Sequence, residues 1–421
     1  MRTRQVQAKT TEITVHDYDT NITSTLTKVE DELSVKDVEL IKKYNTEMVG
    51  EALSKATRLK HISTILSLSR IKTKDWQDLT KDDINSMVSQ VMSTYSENGQ
   101  ETYTTWDHKK ILRIFFRWSK LGSRDSKDVG DPEETKHIRL KPVKNKIVRE
   151  QLITEEDLNS LLKACVGNQR DKAFLHTHYE AGTRPGEILS LRIKHVKFDQ
   201  IGAVIHVDGK TGARPIRLVR SVPDLALWLN MHPHRDNPES PLWIILTEKR
   251  LEEALTYGAA ERMLKRMAKK AKLNKKINLK LFRHSEATNS AKYMTEAQMR
   301  IRHGWTKSSN MPANYVHLVS ADVDEAYLKH LGIVKKDAEK PILPKICPFC
   351  KTPNSTTDEI CNSCGKPLDL KKAIEQEEKA EQEGFLANKI AGKFLVQMLL
   401  TGQIPKLPKE EIAEIIKNLN L

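Results

Sequence analysis

Apolar residues recur at helical spacing in the segments "SVKDVELIKKYNTEMV", "SKATRLKHISTILSLSRI" and "TTWDHKKILRIFFRWSKLG". An apolar side chain every three or four positions is the stripe that an amphipathic helix buries. "DLTKDDINSMVSQVM" opens on a Thr-x-x-Asp pair, a cap signal for one more helix. Residues 34–121 therefore read as an all-helical unit. Before it, residues 1–33 are polar, rich in Thr and Asp and weakly periodic, which suits an N-terminal arm or the first helix of a domain. Residues 122–150, "GSRDSKDVGDPEETKHIRLKPVKNKIVRE", lose the periodicity, nearly lack aromatics and end basic, as an interdomain linker does.

The pattern changes again over 151–334. A cap at Thr154 starts a helix in "TEEDLNSLLKAC", where Cys165 falls in the apolar pattern and reads as core. "AVIHV" and "RPIRLV" are short β-rich runs joined by the Gly-containing turn "DGKTGA", a hairpin signal. Helices follow, among them the basic "ERMLKRMAKKAKLNKKINLK". The expected fold is mainly α with a small antiparallel β-sheet in this second domain, an α+β arrangement. Beyond a Lys/Pro-rich stretch lie a four-cysteine module over 341–370 and a helical tail over 371–421.

Charge narrows the choice of partner. The 421 residues carry a formal net charge of +14, an excess that favours a polyanion, either nucleic acid or an anionic membrane surface. Membrane is the weaker choice. No run approaches the ~20 apolar residues of a spanning helix, and the most apolar segment, "GFLANKIAGKFLVQMLL", contains Lys389 and Lys393. The first residues show no apolar core of a secretory signal. Cys347, Cys350, Cys361 and Cys364 form two Cys-x2-Cys pairs ten residues apart, with Gly365 allowing a tight knuckle turn. That is metal spacing rather than a disulfide framework, and it fits a reducing, cytoplasmic location. Four protein ligands leave no open position, so the expected zinc ribbon is structural.

Tyr315, in "SSNMPANYVHL", raises the question of chemistry. A tyrosine attacking a phosphodiester needs cations on the non-bridging oxygens and an acid for the leaving oxygen. Arg184 precedes Pro185, which suits the first position of a helix, and Glu187 can fix it as an ion pair. Lys210 occupies the hairpin tip, Lys280 and Arg283 lie three apart in "NLKLFRHSEAT", and His303 lies twelve residues before Tyr315. Singly, each has a plainer explanation: a turn, a soluble lysine, a helix cap, a structural histidine.

In this order the residues resemble the tyrosine recombinases, or phage-type integrases. The resemblance covers about 35–332, is strongest over 176–332, and is carried by "GTRPGEILSLR", "LFRHSEAT", "RHGW" and "ANYVHL". It implies a core-binding helical domain and a catalytic domain that clamp the duplex as a C, and a site made of Arg184, Lys210, Lys280, Arg283, His303 and the nucleophile Tyr315. The family usually has histidine where this chain has Lys280; some archaeal-type members resemble it in that lysine and in appended cysteine modules. The implied activity is site-specific recombination of double-stranded DNA through a 3′-phosphotyrosyl intermediate, without ATP or catalytic metal, by a multimer such as a synaptic tetramer at the nucleoid. A non-cutting DNA-binding regulator and a type IB-like topoisomerase are the alternatives. Lys141, Lys144 and Lys146 in the linker, and Arg262, Lys265, Arg266 and Lys269 in the basic helix, are the expected phosphate contacts. The ribbon could meet DNA or protein. The apolar tail helix packs on the ribbon, on another protomer or on a different protein.

Overall fold

The computed structural model describes residues 13–143, 151–209, 211–251, 253–316, 343–347 and 350–368. Lys144, Lys146, Lys210, the tail over 371–421 and the first twelve residues of the N-terminal arm lie outside the described residues. The chain divides into two compact units, one over 16–148 and one comprising 1–15 with 149–421.

The first unit is helical. It contains α1 (Tyr18–Glu32), α2 (Val35–Gly50), α3 (Lys55–Ser69), α4 (Lys81–Tyr95), α5 (Tyr103–Leu121) and the short α6 (Ser126–Val129). Ser34, Ser54, Thr80 and Thr102 cap α2 to α5 by accepting a backbone N–H three residues on, which satisfies donors a helix start otherwise leaves unpaired. The core is aromatic. Phe115 on α5 takes Trp76 edge-on at 5.0 Å and Tyr44 edge-on at 5.0 Å. The Tyr44 hydroxyl is paired with His61 Nδ1 at 2.8 Å.

At the N-terminal flank, of the two readings left open, residues 18–32 follow the second: they form α1, the first helix of the unit, and bury Ile22 and Val29 in the same core. Their weak apolar pattern left both readings open, because two buried positions in four turns are enough to anchor a helix. The other flank differs from the sequence expectation. The supposed linker is packed at its start: Asp131 is ion-paired with Arg113 and Arg117, and Ile138 is buried in the core. Lys141 is exposed.

The second unit is mixed, as expected. It contains α7 (Glu155–Ala164), α8 (Gln169–Ala181), α9 (Pro185–Leu189), β1 (Val196–Phe198), β2 (Ala203–Val207), β3 (Arg214–Leu218), α10 (Val222–Met231), α11 (Tyr257–Lys270), α12 (Leu279–Ser290), α13 (Glu296–His303) and α14 (Met311–Val316). The strands form an antiparallel sheet in the order β1-β2-β3, with Ile205 opposite Ile216 and Val207 opposite Arg214. Alternate residues of β3 are buried, as a half-covered strand requires.

Helix α8 is the axis of this unit. Every residue from Ala173 to Ala181 is buried, and the helix packs against α7, α10, α12 and β3. Its polar side chains are answered inside. Glu180 accepts from the backbone N–H groups of Val219, Arg220 and Ser221. His178 reaches Leu279 O with Nε2 at 2.9 Å and stacks on Phe282. Cys165 is buried, as its apolar setting predicts, and burial pushes its thiol up to about 12. The four-cysteine module adds β4 (Lys345–Ile346) and β5 (Pro353–Asn354), paired antiparallel. No described helix is long and apolar enough to cross a membrane.

Candidate active site and metal centre

The site grows from the C-terminal end of α8. Gly182 ends that helix with φ 59°, in the left-handed region. A Cβ here would fall 2.5 Å from Glu286 Cγ and 3.0 Å from His303 Cε1. Glycine is therefore needed for both conformation and space. The Gly182 carbonyl then faces inward, accepting from Arg283 Nη1 at 3.2 Å and meeting His303 Nδ1 at 3.4 Å.

Two residues on, Arg184 caps α9, with Pro185 at the first helical position. Glu187 is buried beneath it. Its carboxylate accepts from the Arg184 backbone N–H at 2.9 Å, from Arg184 Nη1 at 2.7 Å and from Arg214 Nη2 at 2.7 Å. Burial alone would raise this carboxyl; the hydrogen bonds from Arg214 and Arg184 outweigh it and hold the pKa below the usual range. Arg214 also donates from Nε to Arg302 O, tying β3 to α13. Gly209, at the hairpin turn, approaches so closely that a Cβ would lie 2.3 Å from Glu187 Oε1. Across the turn, Thr211 donates to Gly304 O at 2.8 Å. Both neighbours of Lys210 are thus tied to the cluster.

Arg283, His303 and Tyr315 converge on one indole, that of Trp305. The Arg283 guanidinium lies 5.4 Å from its centroid, His303 stacks at 4.9 Å, and Tyr315 stacks at 5.5 Å with ring planes 10° apart. Arg283 Nη2 also donates to His303 O at 2.6 Å, and Arg184 Nη2 to Gly304 O at 3.1 Å. Burial, then the charge of Arg184, lowers Arg283 to about 10, so it stays protonated at neutral pH. Burial with the charges of Arg283 and Arg302 drives His303 down to about 3, and its Nε2 is buried without a partner. Tyr315 is 1% exposed, and burial pushes its phenol up to about 12 against the opposing charge of Arg283. Its hydroxyl is paired with His284 Nδ1 at 2.7 Å.

The structure thus brings Arg184, Arg283, His303 and Tyr315 together. Lys280 is exposed on α12, one turn before His284. Arg262, Lys265, Arg266 and Lys269 are exposed along one face of α11. Sequence reading missed three members of the site. His284 stood in the quoted "LFRHSEAT"; its place four residues after Lys280, on the same helix face, is the available signal. Trp305 stood in the quoted "RHGW", and Arg214 carried no signal beyond β3 itself.

Residues 151–321 match the phage integrase family. The chain is 28% identical over 191 residues to the tyrosine recombinase XerC of Escherichia coli K12 / DH10B, across 42% of this chain and 57% of XerC. It therefore spans little more than half the length of the curated relatives it matches. Among solved structures, its fold is similar to a lambda integrase dimer bound to a COC′ core site, with TM-score 0.51, 15% identity, and 70% of this chain and 80% of that chain covered. A lambda integrase tetramer bound to a Holliday junction gives TM-score 0.50 and 12% identity, over 65% of this chain and 78% of that chain. The likeness to phage integrases and tyrosine recombinases thus rests on residues 151–321, the segment that holds the candidate site.

The second site is the cysteine module. Cys347, Cys350, Cys361 and Cys364 place their sulfurs within 4.8 Å of one another, close enough to hold a metal ion. The Cys347–Cys364 and Cys350–Cys361 sulfurs are 3.7 and 3.5 Å apart. Tetrahedral zinc with Zn–S of ~2.3 Å sets sulfurs roughly 3.8 Å apart, so the donor set fits such an ion. The module is docked on α8 and α10 by charge and hydrogen bonds. Asp358 accepts from Ser355 N and Asn362 Nδ2 within the module, and from Lys172 Nζ of α8 at 2.9 Å. Lys172 also reaches Asp224 of α10 at 3.3 Å, and the Ser355 hydroxyl donates to Asp224 at 2.8 Å. His176, one turn along α8, contacts the same carboxylate at 2.6 Å.

Glu187→Ala would leave Arg214 buried without its carboxylate. It should cost about 3–5 kcal/mol, the loss seen when one half of a buried pair is removed, read as a lower urea midpoint with unchanged slope; a shift within error would mean that Arg214 finds another partner.

Lys172→Ala should destabilise the metal-loaded protein by about 1–3 kcal/mol, the range for orphaned buried polar groups. After chelation and release of the module, the same substitution should cost less than half as much. Equal costs in both states, measured by chemical denaturation, would show that the module does not communicate with α8.

Proposed function

We propose that this protein is a site-specific DNA recombinase of the integrase type, which cuts and rejoins duplex DNA through a 3′-phosphotyrosyl intermediate. One observation carries the reading: a tyrosine ring and a buried guanidinium that remains charged meet the same indole, and the guanidinium's charge acts on the tyrosine hydroxyl, with a second arginine at the start of α9. A non-cutting regulator has no need to keep that hydroxyl under a cation's influence.

Tyr315 Oη attacks the scissile phosphorus, forming the O–P bond as the bond to the 5′-oxygen breaks. Arg184 and Arg283 take the non-bridging oxygens, whose charge grows in the transition state. Both guanidiniums are pre-aimed, because backbone carbonyls and Glu187 occupy their remaining donors. His303 offers its unpartnered Nε2 to a phosphate oxygen, which would favour the protonated ring. Lys210 protonates the leaving 5′-oxygen. The phosphotyrosyl bond conserves the energy, so a 5′-hydroxyl from another duplex reverses the step without ATP. Lys141, Lys144, Lys146, Arg262, Lys265, Arg266 and Lys269 contact phosphates along the duplex. The protein acts as a multimer on DNA, a proposal supported by the tetramer formed by its lambda fold relative. The four cysteines hold a structural zinc ion, which supplies folding energy and no step of the reaction.

Tyr315→Phe should bind DNA as the parent does and form no covalent adduct, assayed by denaturing electrophoresis with a pool of nicked duplexes of random sequence. Adduct on the phenylalanine variant would place the nucleophile elsewhere. Adduct without rejoining to a second duplex, combined with relaxation of supercoils, would favour a topoisomerase.

DNA affinity should fall steeply with salt. About eight phosphate contacts give a log–log slope of about −7, and Arg262→Ala or Lys269→Ala should each flatten it by about 1. A slope near zero in a salt titration would assign the positive charge to another task.

A further inference from the structure

The tyrosine that attacks must lose a proton, and nothing proposed so far receives it. Lys280 occupies the position where the family usually carries histidine, but it is exposed on α12. One turn further along the same helix face, His284 meets the nucleophile directly, with 2.7 Å between its Nδ1 and the Tyr315 hydroxyl. The two rings are held together, with centroids 6.0 Å apart, while the Trp305 indole stacks on the tyrosine ring. The contact is half-buried on the histidine side and buried on the tyrosine side, so water does not compete freely for either atom.

We propose that His284 is the proton acceptor for Tyr315 in the cleavage step, its imidazole standing one helical turn beyond Lys280. This deepens the recombinase reading and rests on it. With the ring proton on Nε2, Nδ1 accepts the tyrosine hydrogen. As Oη bonds to phosphorus, the O–H pair collapses onto Oη and the proton passes to Nδ1, giving an imidazolium. In rejoining, the same proton returns to the departing tyrosine oxygen as the 5′-hydroxyl attacks.

The surroundings suit this task. Burial first, then the neighbouring charges of Arg283 and Lys280, lowers the His284 pKa, so the ring is neutral and able to accept at neutral pH. The phenol holds its proton far more tightly than a neutral imidazole would, so transfer accompanies bond formation rather than preceding it. Lys280 thus acts through charge, adding to the burial and the Arg283 charge that lower the base of the next turn. Thr288 Oγ1 donates to the His284 carbonyl at 3.0 Å, fixing the helix turn that presents the ring.

The alternative is that His284 only parks the tyrosine. Asparagine separates the two, since its amide oxygen can accept the same hydrogen bond but takes up no proton. His284→Asn should retain DNA affinity and melting temperature, yet lose about 10²–10⁴-fold in the rate of adduct formation, the usual worth of a general base. Replacing Tyr315 by 3,5-difluorotyrosine acidifies the phenol and lessens the need for a base. In that background the His284→Asn defect should shrink at least tenfold, measured on the duplexes that the parent cleaves from the random pool. A defect of unchanged size with the fluorinated tyrosine would overturn the proposal in favour of positioning. A full cleavage rate in His284→Asn, with the loss appearing in Lys280→Ala instead, would overturn it in favour of Lys280. If the parent protein itself forms no adduct, the recombinase reading fails and this proposal falls with it; parental adduct with an unimpaired His284→Asn variant defeats the proposal alone.

Discussion

The buried carboxylate of Glu187 is the constraint on which the candidate site depends. A carboxylate inside a protein is costly unless charge and hydrogen bonds answer it. Here one arginine comes from the adjacent helix start and another from strand β3, while the hairpin turn comes within contact through a glycine. Satisfying Glu187 therefore also settles the direction of Arg184, the docking of the sheet and the approach of the turn that carries Lys210. Arg214 extends the same linkage to α13 through the Arg302 carbonyl. Three segments far apart in sequence are registered by a single charged group.

A different economy operates around Trp305. Its indole gives Arg283, His303 and Tyr315 a common apolar wall, and each polar end is then answered separately: Arg283 by carbonyls, Tyr315 by His284. The wall keeps the tyrosine buried without burying its hydroxyl unpaired. Whether Tyr315 belongs to the core or to the chemistry is thus a false choice at this position. The ring packs, and the oxygen stays paired with a titratable partner.

Much of this was legible in the chain itself. Short β-rich runs on either side of the Gly-containing turn "DGKTGA" specified the hairpin, because turn chemistry and strand preference are both local. Arg184 before Pro185, with Glu187 behind it, could be read because capping is local. What escaped depends on distance in sequence. Arg214 meets Glu187 across 27 positions, and His284 meets Tyr315 across 31, so no window of residues contains either pair. The helix α1 stayed undecided against an arm for another reason: Ile22 and Val29 are few, and polar neighbours mask them. The boundary drawn before the cysteine module also understated a connection, since Lys172 and Asp358 carry opposite charges 186 residues apart.

That connection bears on how the chain can be divided. The Lys/Pro-rich stretch invites a cut that would free a shorter chain carrying the whole candidate site. Such a fragment would keep Asp224 and His176 in its interior but lose the Ser355 hydroxyl that covers the carboxylate, while Lys172 would lose one of its two anions. The cut face would expose charged groups that had been answered by a module no longer attached. In engineering terms the module is a fitted lid rather than an appendage. A shortened version would need its own compensation at Asp224 and Lys172 before it could stand in for the whole protein.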